Sequence, residues 1–239
     1  KTYRKLLLVT DAGMIKNQLH RPILQILDTL KIEHVIYADV QADPPEQVVL
    51  DAANYAKQQN VDVIVGFGGG SSLDVAKVIA LLAHPNQTQN LQEMYGVNQV
   101  KTARLPLILI PTTAGTGSEV TPISIVTTGE TTKMGIVSPV LYADTAILDA
   151  TFTQNLPAHI TAATGIDAMV HAIEAYTSKH KKNIYTDILA KHALKLLNHN
   201  LPKVLKNGND LEARQNMLFG SMLAGQAFAN SPVAAVHAL

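Results

Sequence analysis

From residue 5 to about 150, apolar positions fall into short unbroken runs, and stretches with helical spacing lie between them. "KLLLVTD" (5–11) predicts a strand, "IKNQLHRPILQILDTLK" (15–31) a helix and "HVIYADV" (34–40) a second strand. "PEQVVLDAANYAKQQN" (45–60) predicts a helix with Pro45 near its start, where a missing N–H costs nothing. The strand "VDVIVGFGG" (61–69), the helix "SSLDVAKVIALLA" (71–83) and the strand "LPLILIP" (105–111) follow. Strands alternating with helices predict a parallel sheet covered by crossover helices. After about residue 155 the strand-like runs stop, and alanine-, leucine- and methionine-rich helical patterns take over, as in "ITAATGIDAMVHAIEAYTS", "YTDILAKHALKLLNHNL" and "ARQNMLFGSMLAGQAFAN". The expected organisation is α/β plus all-α: a Rossmann-like parallel-sheet domain over 1–153, then an all-helical domain over 154–239, with a ligand in the cleft between them.

Composition narrows the function. Hydrophobic residues make up 47% of the chain, and 19 basic residues balance 19 acidic ones, so there is no charge block to attract nucleic acid or an anionic membrane. No apolar run is long enough to span a bilayer and no signal-peptide layout opens the chain, which predicts a cytoplasmic protein with small-molecule or self-association partners. The 239 residues include no cysteine, so any metal must be held by nitrogen and oxygen ligands. The chain opens without methionine and stops inside an apolar helical pattern, so pieces are expected to be missing at both ends.

Two loops stand out. "VGFGGGSSLDVAK" sets four glycines and two serines between a strand and a helix. Backbone N–H groups in such a loop can approach a phosphate, and the helix N-terminus adds partial positive charge. The same residues also make a tight turn capped by Ser71 or Ser72, with Asp74 stabilising the first helical turn. The acidic residue that binds ribose in the usual dinucleotide fingerprint is absent from its place some 20 residues on. Asp11, ending the strand "LLLVTD", can instead accept from ribose hydroxyls and repel a 2′-phosphate, or cap the turn that follows. A nucleotide site built this way is not wound in the usual Rossmann order. "PTTAGTGSEVT" (111–121) offers Thr112, Thr113, Thr116 and Ser118 as donors, although turns use the same residues.

In "GIDAMVHAIEAY" (165–176), Asp167, His171 and Glu174 share one helical stripe, beside Ile166, Val170 and Ile173 as the expected core contact. A carboxylate and an imidazole one turn apart can grip a divalent cation or simply hydrogen-bond to each other, and two ligands alone do not make a site. His237, in the apolar "SPVAAVHAL", is either a core histidine or another ligand.

Taken together and in order, "GFGGGSSLDVAK", "PTTAGTGSEVT", the lysine-anchored pattern around Lys133 and "LPAHITAATGIDAMVHAIEAY" resemble the iron-containing (group III) alcohol dehydrogenases. The resemblance covers nearly the whole chain. It implies an NAD-dependent oxidoreductase acting on a small primary alcohol or diol, or the matching aldehyde, with Fe2+ or alternatively Zn2+ polarising the substrate oxygen. It implies metal ligation by Asp167, His171 and His237, with Asp11 selecting NAD over NADP. By the same resemblance, Gly69, Gly70 and Ser71 are expected to hold the pyrophosphate, and Asp74, Thr112, Thr113, Thr116, Ser118 and Lys133 to surround the cofactor, with Ile125 near the nicotinamide. Asp43 stands where many relatives have asparagine. A proton-relay histidine and a fourth ligand of the family lie beyond Leu239, so this chain reads as a fragment that forms a homodimer or higher oligomer at full length. A glycerol-dehydrogenase-like or dehydroquinate-synthase-like relative, or a catalytically silent nucleotide-binding fragment, is the alternative.

Overall fold

The computed structural model describes residues 3–154, 156–179 and 181–231. These group into two compact units, one formed by residues up to Ile110 with Pro122–Ile147, the other by Pro111–Thr121 with residues from Leu148 on.

The first unit is built on strands β1 (Lys5–Asp11), β2 (Glu33–Val40), β3 (Val63–Gly68), β5 (Leu107–Pro111) and β8 (Thr145–Ala146), in the order β2-β1-β3-β5-β8. β1 lies parallel to both β2 and β3, so the chain moves to one side of β1 and then to the other. This is the flavodoxin-like order rather than the 3-2-1 order of the Rossmann fold, and its switch point falls between β1 and β3. Every residue of β3 is buried, which is why it reads as a continuous apolar run. Helices α3 (Glu46–Gln58) and α4 (Gly70–Leu82) supply Val49, Ala52, Val75 and Ile79 to a core shared with Leu7, Ile64 and Leu109. A second sheet joins the short β4 (Gly96–Val97) to the antiparallel hairpin of β6 (Ile123–Thr128) and β7 (Thr132–Val137), which the sequence reading left out.

The helix expected over 15–31 is two helices, α1 (Ala12–Lys16) and α2 (Arg21–Thr29), separated by a turn in which Gln18 has φ 59°. Pro22 explains the break, because it has no N–H to donate to the Gln18 carbonyl and its ring would clash there in a continuous helix, so it fits only the first turn of a new one.

The second unit packs α5 (Ala158–Thr177), α6 (Ile184–Lys206) and α7 (Leu211–Asn230) together. Asn183 and Asp210 cap α6 and α7 by accepting from the Thr186 and Ala213 amides. Arg214 is buried in α7 and donates to the Gly208 carbonyl and the Thr161 hydroxyl, tying α7 to the start of α5. Ile166 and Ile173 were expected to face the core, but they are 51% and 47% exposed. The buried stripe of α5 is instead Gly165, Ala168, His171, Ala172, Glu174 and Ala175. Small residues let the helices approach closely: a Cβ on Gly165 would lie 2.8 Å from Leu201 Cδ1, which leaves no room for isoleucine on that side. Among the described residues no helix is long and apolar enough to cross a membrane.

Candidate cofactor cavity and metal helix

β1 and β3 both end at the switch point of the sheet, and there a cavity of about 400 Å3 opens, lined by Asp11, Ala12, Gly13, Val40 and Gly69–Ser72 among others. Asp11 closes β1 and accepts from the amides of Gly13 (2.8 Å) and Met14 (3.2 Å) and from the Ser72 hydroxyl (3.4 Å). Its capping role is therefore realised. An ionised carboxylate has about four acceptor positions, so capacity remains for hydroxyls of a ligand in the cavity.

Gly68 has φ 148°, and a Cβ there would fall 2.7 Å from Ser72 Oγ and 3.2 Å from Asp11 Oδ2. Only glycine lets the strand turn this tightly beside the carboxylate. Gly69 then takes the N-cap position of α4 with no side chain folded over it. The partly exposed Gly70 and Ser71 open the helix on the cavity wall, with its positive dipole end towards the open space.

Asp74 and Lys77 sit one turn further along α4. The Asp74 carboxylate accepts from the Ile125 amide (3.0 Å) and from Lys77 Nζ (3.3 Å), while Lys77, fully buried, donates to the Ile123 carbonyl at 2.6 Å. The pair fastens β6 to α4, and Ile125 is left 38% exposed on that strand. Lys133 on β7 is ion-paired with Asp43 at 2.6 Å, both side chains being more than half exposed. In the other unit, Thr113 and Thr116 are partly exposed while Thr112 and Ser118 are buried, and the Thr116 hydroxyl accepts from the Ser118 amide.

On α5, the His171 imidazole is buried and its Nδ1 lies 4.0 Å from Asp167 Oδ2, whose side chain is 37% exposed. The Phe228 ring of α7 lies against His171 with centroids 4.4 Å apart. An oxygen and a nitrogen donor on one helix face, with the imidazole fixed by an aromatic neighbour, fit two positions of a divalent-ion site. Glu174 is buried further along the same stripe. His237 lies outside the described residues, and among those described no group of three or more His, Asp or Glu comes together as a metal cage.

The sequence reading passed over Lys77 and Phe228. Lys77 had a signal, a lone cation in the apolar "VAKVIALL" three residues after Asp74, but Phe228 meets His171 only through the packing of α7 on α5.

These features define a class: a doubly wound sheet with an open glycine turn at its switch point, and a helical unit presenting a carboxylate and an imidazole on one face. The chain belongs to the iron-containing alcohol dehydrogenase family. The model of "Iron-containing alcohol dehydrogenase" matches residues 1–150, and that of "Fe-containing alcohol dehydrogenase family, C-terminal" matches 161–239. Long-chain-alcohol dehydrogenase 1 of Geobacillus thermodenitrificans is 42% identical over 240 residues, 99% of this chain and 60% of its own. Among solved structures, a 1,3-propanediol oxidoreductase superimposes with a TM-score of 0.94 at 37% identity, over 99% of this chain and 61% of its own. A sulfoacetaldehyde reductase from Bifidobacterium kashiwanohense, solved in complex with NAD+, superimposes with a TM-score of 0.89 at 30% identity, over 99% of this chain and 62% of its own. The chain thus spans about 60% of the length of such relatives.

Proposed function

We propose that the full-length protein is an NAD-dependent, metal-containing oxidoreductase that moves a hydride between a small primary alcohol or diol, or the matching aldehyde, and NAD. The observation that carries this reading is the joint placement of Asp11 and the uncapped Gly69–Ser71 turn on one cavity at the switch point of the sheet. In this reading residues 1–153 serve the cofactor and 154–239 the metal and substrate, in the cytoplasm and in a homodimer or larger homo-oligomer.

Asp11 accepts from the adenosine ribose hydroxyls, and its negative charge opposes a 2′-phosphate. The amides at the start of α4 receive the pyrophosphate, where helix dipole and open backbone favour an anion. Lys133 reaches the cofactor by exchanging its contact with Asp43, and hydroxyls of Thr112, Thr113, Thr116 and Ser118 donate to it. Asp74 works through Ile125: by holding that amide it fixes the side chain expected to pack beside the nicotinamide. Bound NAD supplies the hydride acceptor.

Asp167 and His171 hold the divalent ion, iron or alternatively zinc, with His237 as a third ligand. The ion, when bound, supplies Lewis acidity towards the substrate oxygen. Phe228 keeps the His171 ring in its ligating orientation.

Metal analysis of the full-length protein tests this assignment. About one divalent ion per chain is expected in the wild type, and close to none in the Asp167→Ala/His171→Ala double variant. Full occupancy in the double variant would contradict it.

A further inference from the structure

The hairpin of β6 and β7 is fastened to both elements that wall the cavity of the sheet unit. On the α4 side, the Ile125 amide donates to the Asp74 carboxylate and the Ser124 hydroxyl to the Asp74 carbonyl. On the other side, the loop after β2 lines the cavity through Val40, Gln41 and Ala42 and runs on into Asp43. There the Thr127 amide donates to the Pro44 carbonyl at 2.9 Å, and Lys133 Nζ meets Asp43 Oδ1 at 2.6 Å.

The ladder register puts the hairpin groups on one face. Ile125 stands opposite Gly135 and Thr127 opposite Lys133, and alternate residues of a strand point the same way. Val126, between Ile125 and Thr127, is fully buried in the core, so Ile125, Thr127 and Lys133 face away from it. The Thr127 hydroxyl is buried and has no hydrogen-bond partner among the described residues. A buried hydroxyl left unpaired costs stability, which marks this face as one whose polar groups are not settled in the free protein.

Asp43 has φ 49°, in the left-handed region that aspartate and asparagine tolerate better than most residues. The Lys133 and Asp43 side chains are 57% and 67% exposed, and pairs this exposed hold weakly, with an equilibrium constant of at most about five. The pair is closed in the free protein yet open to exchange, so an acceptor arriving from the cavity can take the ammonium.

We propose that Asp43 sets how tightly the cofactor is held: its carboxylate competes with bound NADH for the Lys133 ammonium, which weakens binding and hastens release. The inference rests on the cofactor reading of this cavity given above. Asp43 is a positioning residue that acts through Lys133 and has no need to touch the cofactor.

The test uses the full-length protein. NADH affinity is measured by calorimetry and NADH release by stopped-flow fluorescence, for the wild type, Asp43→Asn, Lys133→Met and the double variant. Asparagine suits the left-handed backbone, and Asp43→Gly, which suits it at least as well, is carried in parallel. Both Asp43 variants are expected to bind NADH about fivefold more tightly than the wild type, with the gain appearing as slower release. Lys133→Met is expected to bind more weakly, and in its background Asp43→Asn should bring no gain. Unchanged or weaker binding by both Asp43 variants overturns the proposal, since the carboxylate would then be idle or itself a ligand of the cofactor. A gain that persists without Lys133 also overturns it, because removal of a negative charge alone would suffice, and so does an affinity untouched by Lys133→Met. Each of these results leaves the cofactor reading standing, whereas absence of NADH binding by the wild type removes that reading itself.

Discussion

Asp11 is the residue on which two uses converge, since it caps α1 and faces the cavity. Asparagine keeps a cap oxygen and removes the charge, so Asp11→Asn separates the two. Melting temperature is expected to change little, while the preference for NADH over NADPH falls by on the order of tenfold, the scale of one lost charge repulsion across several ångströms of protein. An unchanged preference would leave Asp11 with capping alone. Asp62 works differently. Burial pushes its carboxyl up, but the Arg4 and Lys5 amides and the Arg4 guanidinium outweigh this and hold it below the ordinary carboxylate range. A carboxyl whose pKa is lower folded than unfolded stabilises at neutral pH, and that contribution is lost as pH falls through the folded value. Urea midpoints of the wild type should therefore drop on acidification more than those of Asp62→Asn. Parallel curves would show that Asp62 contributes nothing to β1.

At the level of elements, α4 carries more than its N-terminus. Lys77 is buried with its charge satisfied by Asp74 and the Ile123 carbonyl, so truncating it takes the cationic partner from the Asp74 carboxylate and the ammonium donor from the Ile123 carbonyl. Lys77→Met is expected to destabilise the protein by about 3 kcal/mol, the cost of breaking a buried pair from one side, read from urea unfolding. It should also loosen β6 and weaken NADH binding more than Arg214→Met, an equally buried cation whose bonds lie in the helical unit. The period of the apolar pattern foretold these elements well where local signals agreed. β1, β3 and α4 fell close to their expected places because runs, glycines and caps coincide there. The 15–31 helix failed because its apolar spacing continues across a proline that ends the pattern physically. The outward isoleucines of α5 failed for another reason: hydrophobicity ranks isoleucine above alanine, whereas close helix packing selects alanine and glycine.

For the whole molecule, the sequence order named candidate residues without telling where they gather. Asp11 and Gly69 are far apart in the chain and share one cavity only because β1 and β3 are neighbours at the switch point. Nothing local in "PTTAGTGSEVT" says that it packs with α5 and α7, because that depends on Thr164 and Gly225 meeting two particular glycines. The Asp167–His171 pair was legible from helical spacing, whereas the aromatic contact that orients the imidazole was not. In the proposed function, the full-length protein oxidises alcohols with NAD and a divalent ion held by Asp167 and His171. The most direct test follows NADH formation by the purified full-length protein on a panel of short primary alcohols and diols, before chelation, after chelation and after reloading with Fe2+ or Zn2+. Turnover is expected that chelation abolishes, reloading restores and Asp167→Ala/His171→Ala eliminates. Undiminished NADH formation by the chelated double variant would contradict it.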